Sequence, residues 1–85
     1  MPRSRPDEQE AFDFGLEIDQ ALAAALAAAR GRAGLTQAQL AARMGTTQTV
    51  IARLERGRTK PSTRTLERFA EATGSRLRIT LEPDR

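Results

Sequence analysis

The sequence predicts a mainly α-helical domain of about four helices that ends in one C-terminal β-strand. Three observations carry that expectation. Apolar residues recur at three- and four-residue spacing between residues 19 and 73, glycines at 34, 45, 57 and 74 punctuate the pattern, and the last stretch switches to strict alternation. The 85 residues, 39% of them hydrophobic, make one domain with little core to spare, because a chain this short hides only about 60% of its unfolded surface. Help from a second chain fits that shortage.

The elements follow in order. Residues 1–17 read as an acidic, partly disordered amino-terminal arm, with a solvated tail the plain reading of residues 1–10. From Asp19 to Ala33, Leu22, Ala25, Leu26, Ala29 and Ala33 share helical spacing, and Gly34 stops the helix. A short second helix opens on Thr36, with Gln39 three residues on to complete a capping box, and stops at Gly45. A third short helix runs from about Gln48 to Arg56 and ends at Gly57. Pro61 and Ser62 open a fourth, in which Leu66, Phe69, Ala70 and Thr73 share a face, closed by Gly74. Residues 18–74 thus form the body, and residues 75–85 a terminal strand and tail, in which Leu77, Ile79 and Leu81 alternate with Arg76, Arg78 and Thr80.

Charge is unevenly spread. Residues 1–20 hold two arginines against six carboxylates, while residues 21–85 hold twelve Lys/Arg against five acids. An acidic arm on a basic body points to a polyanionic partner for the body and a basic protein for the arm. With no cysteine and no histidine, disulfides, thiolate metal sites and the commonest general base are excluded, and no metal or cofactor is expected. Glu67 and Glu71 could in principle serve as acid and base, but they lie beside Arg64 and Arg68 on a helix face that reads as solvated, so no enzyme is expected. The apolar run of residues 21–29 is too short to span a bilayer and nothing resembles a signal peptide, so a cytoplasmic, nucleoid-associated protein fits.

Helices two and three are joined by three or four residues beginning at Gly45, the geometry of a helix-turn-helix. At roughly 100° per residue, Val50, Ile51 and Leu54 fall on one arc of helix three, while Gln48, Thr49, Ala52, Arg53 and Arg56 fall on the other. That outward arc holds no acid. Glutamine pairs with adenine and arginine with guanine through two hydrogen bonds, and threonine and alanine suit a thymine methyl. Thr47 stands at the entry of the same helix, Gln37 at the start of helix two, where the helix dipole favours a phosphate, and Arg58 and Lys60 follow on a tight loop suited to backbone phosphates. The competing reading is an ordinary solvated face. With three aromatics, two of them in the arm, RNA is the weaker nucleic-acid candidate and duplex DNA the preferred one.

The stretch GLTQAQLAARMGTTQTVIARLERGRTKPS resembles the helix-turn-helix of Cro/C1-type repressors, the XRE family, over roughly residues 30–74. The resemblance implies a lambda-repressor-like bundle that binds duplex operators as a homodimer. It also implies that Gln37 buttresses a backbone contact, that Gln48, Thr49 and Arg53 face bases, that Arg56, Arg58 and Lys60 meet phosphates, and that Arg30 pairs with Glu55. Two unrelated surface charges are the alternative for that pair. Phage members continue into a fifth helix where this chain turns at Gly74 into SRLRITLEP. A different dimer surface is thereby implied, and Leu77, Ile79 and Leu81 are its candidates.

Three partners are open to the terminal strand: its own symmetry mate, the edge of another protein's sheet, or residues 12–18, whose Phe12, Phe14, Leu16 and Ile18 alternate with acids but also suit the start of helix one. Self-pairing is favoured, since a two-fold reader needs half-sites about 34 Å apart. A helix-turn-helix followed by a terminal strand is similar to antitoxins of the HigA and HipB types, which repress their own operon and hold a neighbouring toxin, in the HigA case often a small RelE/HigB-like one. On that resemblance Phe12, Phe14, Leu16 and Ile18 are the candidate toxin contacts. The alternative is a free-standing regulator.

Overall fold

In the computed structural model, which describes residues 6–84 and side chains from residue 19 onward, four helices follow one another: α1 (Pro6–Arg32), α2 (Gln37–Met44), α3 (Gln48–Glu55) and α4 (Thr63–Thr73). Short helices need their ends satisfied, and the sequence supplies each cap. Thr36 Oγ1 accepts from Gln39 N at 3.0 Å while Gln39 Oε1 accepts from Thr36 N at 2.8 Å, closing the capping box of α2. Thr47 and Ser62 cap α3 and α4 by the single bond alone, each hydroxyl oxygen accepting from the backbone three residues on, Val50 N and Thr65 N. At the far end of α2, Gly45 takes a left-handed conformation with φ 66°, which an L side chain resists.

The four helices close on one core. Leu40, Ile51 and Phe69, one each from α2, α3 and α4, are its most deeply buried side chains, and Leu26 and Ala29 bring α1 onto them. Two arginines then tie α2 to α4 reciprocally. Arg43, near the end of α2, donates from Nη1 to Ala72 O at 3.1 Å, and Arg68 of α4 donates from Nη2 to Met44 O. Each guanidinium therefore meets the carbonyl-rich end of the other helix, where the dipole favours a cation. Arg68 has a structural task as well as an exposed position.

Four details differ from the sequence expectation. Helix α1 begins at Pro6 instead of near Asp19, so residues 12–18 continue a helix and offer no strand. Ala23 of α1 is buried while Ala25, and Ala33 just beyond the helix, are exposed; in a run of alanines every position is small and apolar, and periodicity cannot select the inward face. Val50, expected on the apolar arc with Ile51 and Leu54, is 41% exposed, because an eight-residue helix touching the core with two side chains leaves the edge of its arc outside. Finally, residues 75–84 form no β-strand. A strand needs a neighbour to take up its backbone groups, and the segment that could have served lies in α1. Leu77 instead packs against the core, leaving Ile79 61% and Leu81 98% exposed. Among the described residues no helix is long and apolar enough to cross a membrane.

Gly57, just beyond α3, holds the loop close to α1. Its φ is +72°, and a Cβ there would stand 3.3 Å from Asp19 O. Gly34 has nearly the same φ, +71°, but open space around it. Gly34→Ala should therefore cost about 1 kcal/mol from backbone conformation alone, and Gly57→Ala about 2 kcal/mol because the contact adds to it. Urea unfolding of the two variants checks the order; equal losses would show that the approach to Asp19 is not tight.

Candidate nucleic-acid interface

The outward side of α3 is shaped by what lies behind it. Arg30, in the last turn of α1, meets Glu55, the last residue of α3, through two parallel hydrogen bonds, Nε to Oε2 at 2.7 Å and Nη2 to Oε1 at 2.9 Å. The third guanidinium nitrogen, Nη1, donates to Leu35 O at 2.8 Å and so pins the turn between α1 and α2. The Glu55 side chain is 6% exposed and that of Arg30 22%. Burial alone would push the Glu55 carboxyl up, but the hydrogen bonds from Arg30 and Gln37 and the nearby positive charge outweigh it and hold it below its ordinary value. The hydrogen bond to Glu55 raises Arg30 in turn.

The pair reaches the surface through two glutamines. An ionised carboxylate only accepts, so Gln37 must turn its amide nitrogen inward, and Nε2 donates to Glu55 Oε1 at 3.1 Å. Its carbonyl Oε1 is then left facing Gln48, whose Nε2 approaches at 3.4 Å. Ion pair and hydrogen bonds thus form one chain, Arg30 to Glu55 to Gln37 to Gln48, that sets which atoms of Gln48 look outward: its carbonyl oxygen and the second proton of its amide. Among the described residues no buried side-chain nitrogen or oxygen lacks a partner.

Around that anchor Gln37, Gln48, Thr49, Ala52, Arg53 and Arg56 line one shallow depression of about 380 Å³. Its lining holds two guanidinium groups and no acid. Of the other residues expected at the site, Thr47 spends its hydroxyl oxygen on the cap of α3, and Arg58 and Lys60 stand exposed on the following loop, outside the depression. Gln37 is part-buried and committed to Glu55 and Gln48, so its side chain serves the neighbouring glutamine. Val50 is the exposed α3 residue that sequence reasoning put on the wrong side. A valine flanked by Thr49 and Ile51 offers no signal that separates a core position from a surface one. The side chains of Phe12, Phe14, Leu16 and Ile18 lie outside the described residues.

A bundle of four helices whose second and third are short and joined by a tight turn, the third presented outward, is a helix-turn-helix domain. The comparisons agree. A family model described as helix-turn-helix matches residues 26–79, and the chain belongs to this family, the Cro/C1-type helix-turn-helix proteins, a class of DNA-binding transcriptional regulators. The crystal structure of the clp gene regulator ClgR from C. glutamicum is similar, with 33% sequence identity and a TM-score of 0.65 over 67% of this chain and 73% of that one. No curated protein matches the sequence.

The ion pair makes stability depend on pH in a definite direction. A carboxyl held below its ordinary value contributes stability that is fully present above the unfolded-state value, about 4.3, and is lost as pH falls through the lower folded-state value. Urea stability should therefore stay level from neutrality to about pH 5 and decline below about pH 4. Glu55→Gln should cost about 3 kcal/mol at pH 7, by leaving Arg30 without its counter-charge, and should flatten the acid limb; an unaltered acid limb would remove Glu55 as its source.

Proposed function

We propose that this protein is a sequence-specific repressor that occupies a duplex operator as a homodimer, with α3 in the major groove. The observation that carries the reading is the acid-free depression on α3, in which Gln48 is held by Gln37 with its carbonyl oxygen and one amide proton outward. That pair of groups matches the N6 donor and N7 acceptor of adenine. Arg53 offers the guanine-matching fork, and Thr49 and Ala52 fit thymine methyl groups. Thr47, Arg56, Arg58 and Lys60 are assigned to phosphates, where they set position and carry no sequence information. The likeness to a gene regulator supports the same reading.

A second activity, neutralising a small basic toxin of the RelE/HigB kind, is favoured by the acidic arm alone, with six carboxylates in residues 1–20. Native mass spectrometry of the protein purified from its own locus tests it. A small basic protein bound to two chains supports the antitoxin role, and two chains without one support a free-standing regulator.

For the DNA reading, Gln48→Ala and Arg53→Ala should each cost about 1 to 3 kcal/mol on the preferred site and little on random duplex. Arg58→Ala should weaken every duplex alike and lower the salt slope by about 1. Fluorescence anisotropy across a salt series measures both; if the two classes of variant behaved identically, α3 would not be the reader.

A further inference from the structure

We infer that the groove between α1 and α4 receives the acidic amino-terminal half of α1 from a second copy of this chain, so that two copies pair antiparallel along α1. The groove is a cavity of about 240 Å³ whose walls are mostly apolar, with Leu26, Phe69 and Leu77 among them. Three arginines, Arg32, Arg76 and Arg78, are the charged residues of its lining, and no acid is present there. The complementary charge lies elsewhere on the same helix: between residues 6 and 20 the chain has Asp7, Glu8, Glu10, Asp13, Glu17 and Asp19 and no Lys or Arg. Interspersed with those acids stand Phe12, Phe14, Leu16 and Ile18, residue types suited to an apolar groove.

The acidic half cannot fill the groove of its own chain. Helix α1 runs unbroken from Pro6 to Arg32, and at about 1.5 Å per residue position 12 is about 15 Å along the axis from position 22. A second copy can supply it. Asp19 is the middle residue of α1, so an antiparallel pair crossing near that point sets the acidic half of each helix against the groove half of the other. Such a contact is its own mirror, each copy giving and receiving the same surface, which is what two-fold symmetry requires. The groove shares no residue with the α3 depression. Pairing there leaves the reading surface open and engages the acidic segment away from DNA phosphates.

The inference adds a pairing surface to the dimeric reader proposed above, but its test reads mass and not DNA binding, so either idea can fail alone. Full-length protein is examined by sedimentation equilibrium, with circular dichroism melts as the control for folding. Arg32, Arg76 and Arg78 are exposed and make no hydrogen bond among the described residues, so R32E/R76E/R78E should fold. This variant, and separately E10R/D13R/E17R, should weaken the dimer about tenfold or more, and the chain carrying both sets should recover most of that loss. If either set alone loses its fold, milder sets, R76Q/R78Q against E10Q/D13Q, should each weaken the dimer by a few fold. A monomeric wild type, a dimer indifferent to either set, or a combined variant that recovers nothing would overturn the inference. So would a dimer that ignores both sets but disappears on truncation after Gly74, since the tail would then be the pairing element.

Discussion

One ion pair organises this small domain. With only a few large apolar side chains in its core among the described residues, the hydrophobic contacts are non-directional and could tolerate several arrangements of the four helices. The pair between Arg30 and Glu55 is directional. Its two parallel hydrogen bonds join the end of α1 to the end of α3, the remaining guanidinium nitrogen holds the turn before α2, and the carboxylate's Oε1 also receives Gln37 from the start of α2. Three helices are thereby placed against one another by a single cluster of charges. A well-packed apolar substitute could equal such a cluster in stability, but it could not orient a surface glutamine.

That orientation links fold to function. Because a carboxylate accepts and never donates, the identity of residue 55 decides the polarity of Gln37, and Gln37 decides that of Gln48. The outward pattern of hydrogen-bonding groups on α3 is thus partly set by a residue at the back of the helix. An oriented side chain loses less conformational freedom when it meets a base than a freely rotating one does. The arginines Arg43 and Arg68, each closing the end of the other's helix, support the same rigidity from the opposite side.

Much of this was legible in the sequence because it is local. Thr36 with Gln39, Thr47, Ser62 and the glycines at 45 and 74 mark helix ends by chemistry that acts within a few residues, and the gathering of Gln48, Thr49, Ala52, Arg53 and Arg56 on one face follows from helical geometry. What was not legible depends on contacts distant in the chain. Which alanines of α1 face inward, the exposure of Val50 beside the buried Ile51 and Leu54, and the hold of Arg68 on Met44 are settled by where another helix lies. The terminal segment shows the limit most plainly. Leu77, Ile79 and Leu81 alternate as a strand does, but alternation describes only one side of a pairing, and the second side that the chain offered, residues 12–18, lies in α1.

The measurement that tests the central claim most directly is a pH titration of the Gln37 and Gln48 side-chain amide protons by nuclear magnetic resonance, over the range in which the domain stays folded. If the chain from Arg30 to Gln48 is one unit, both amides should shift together with a midpoint below the ordinary glutamate value of about 4.3, and Glu55→Gln should abolish both shifts. Resonances of Gln48 that ignore the titration, or that persist unchanged in the variant, would show that the reading glutamine is set independently of the ion pair beneath it.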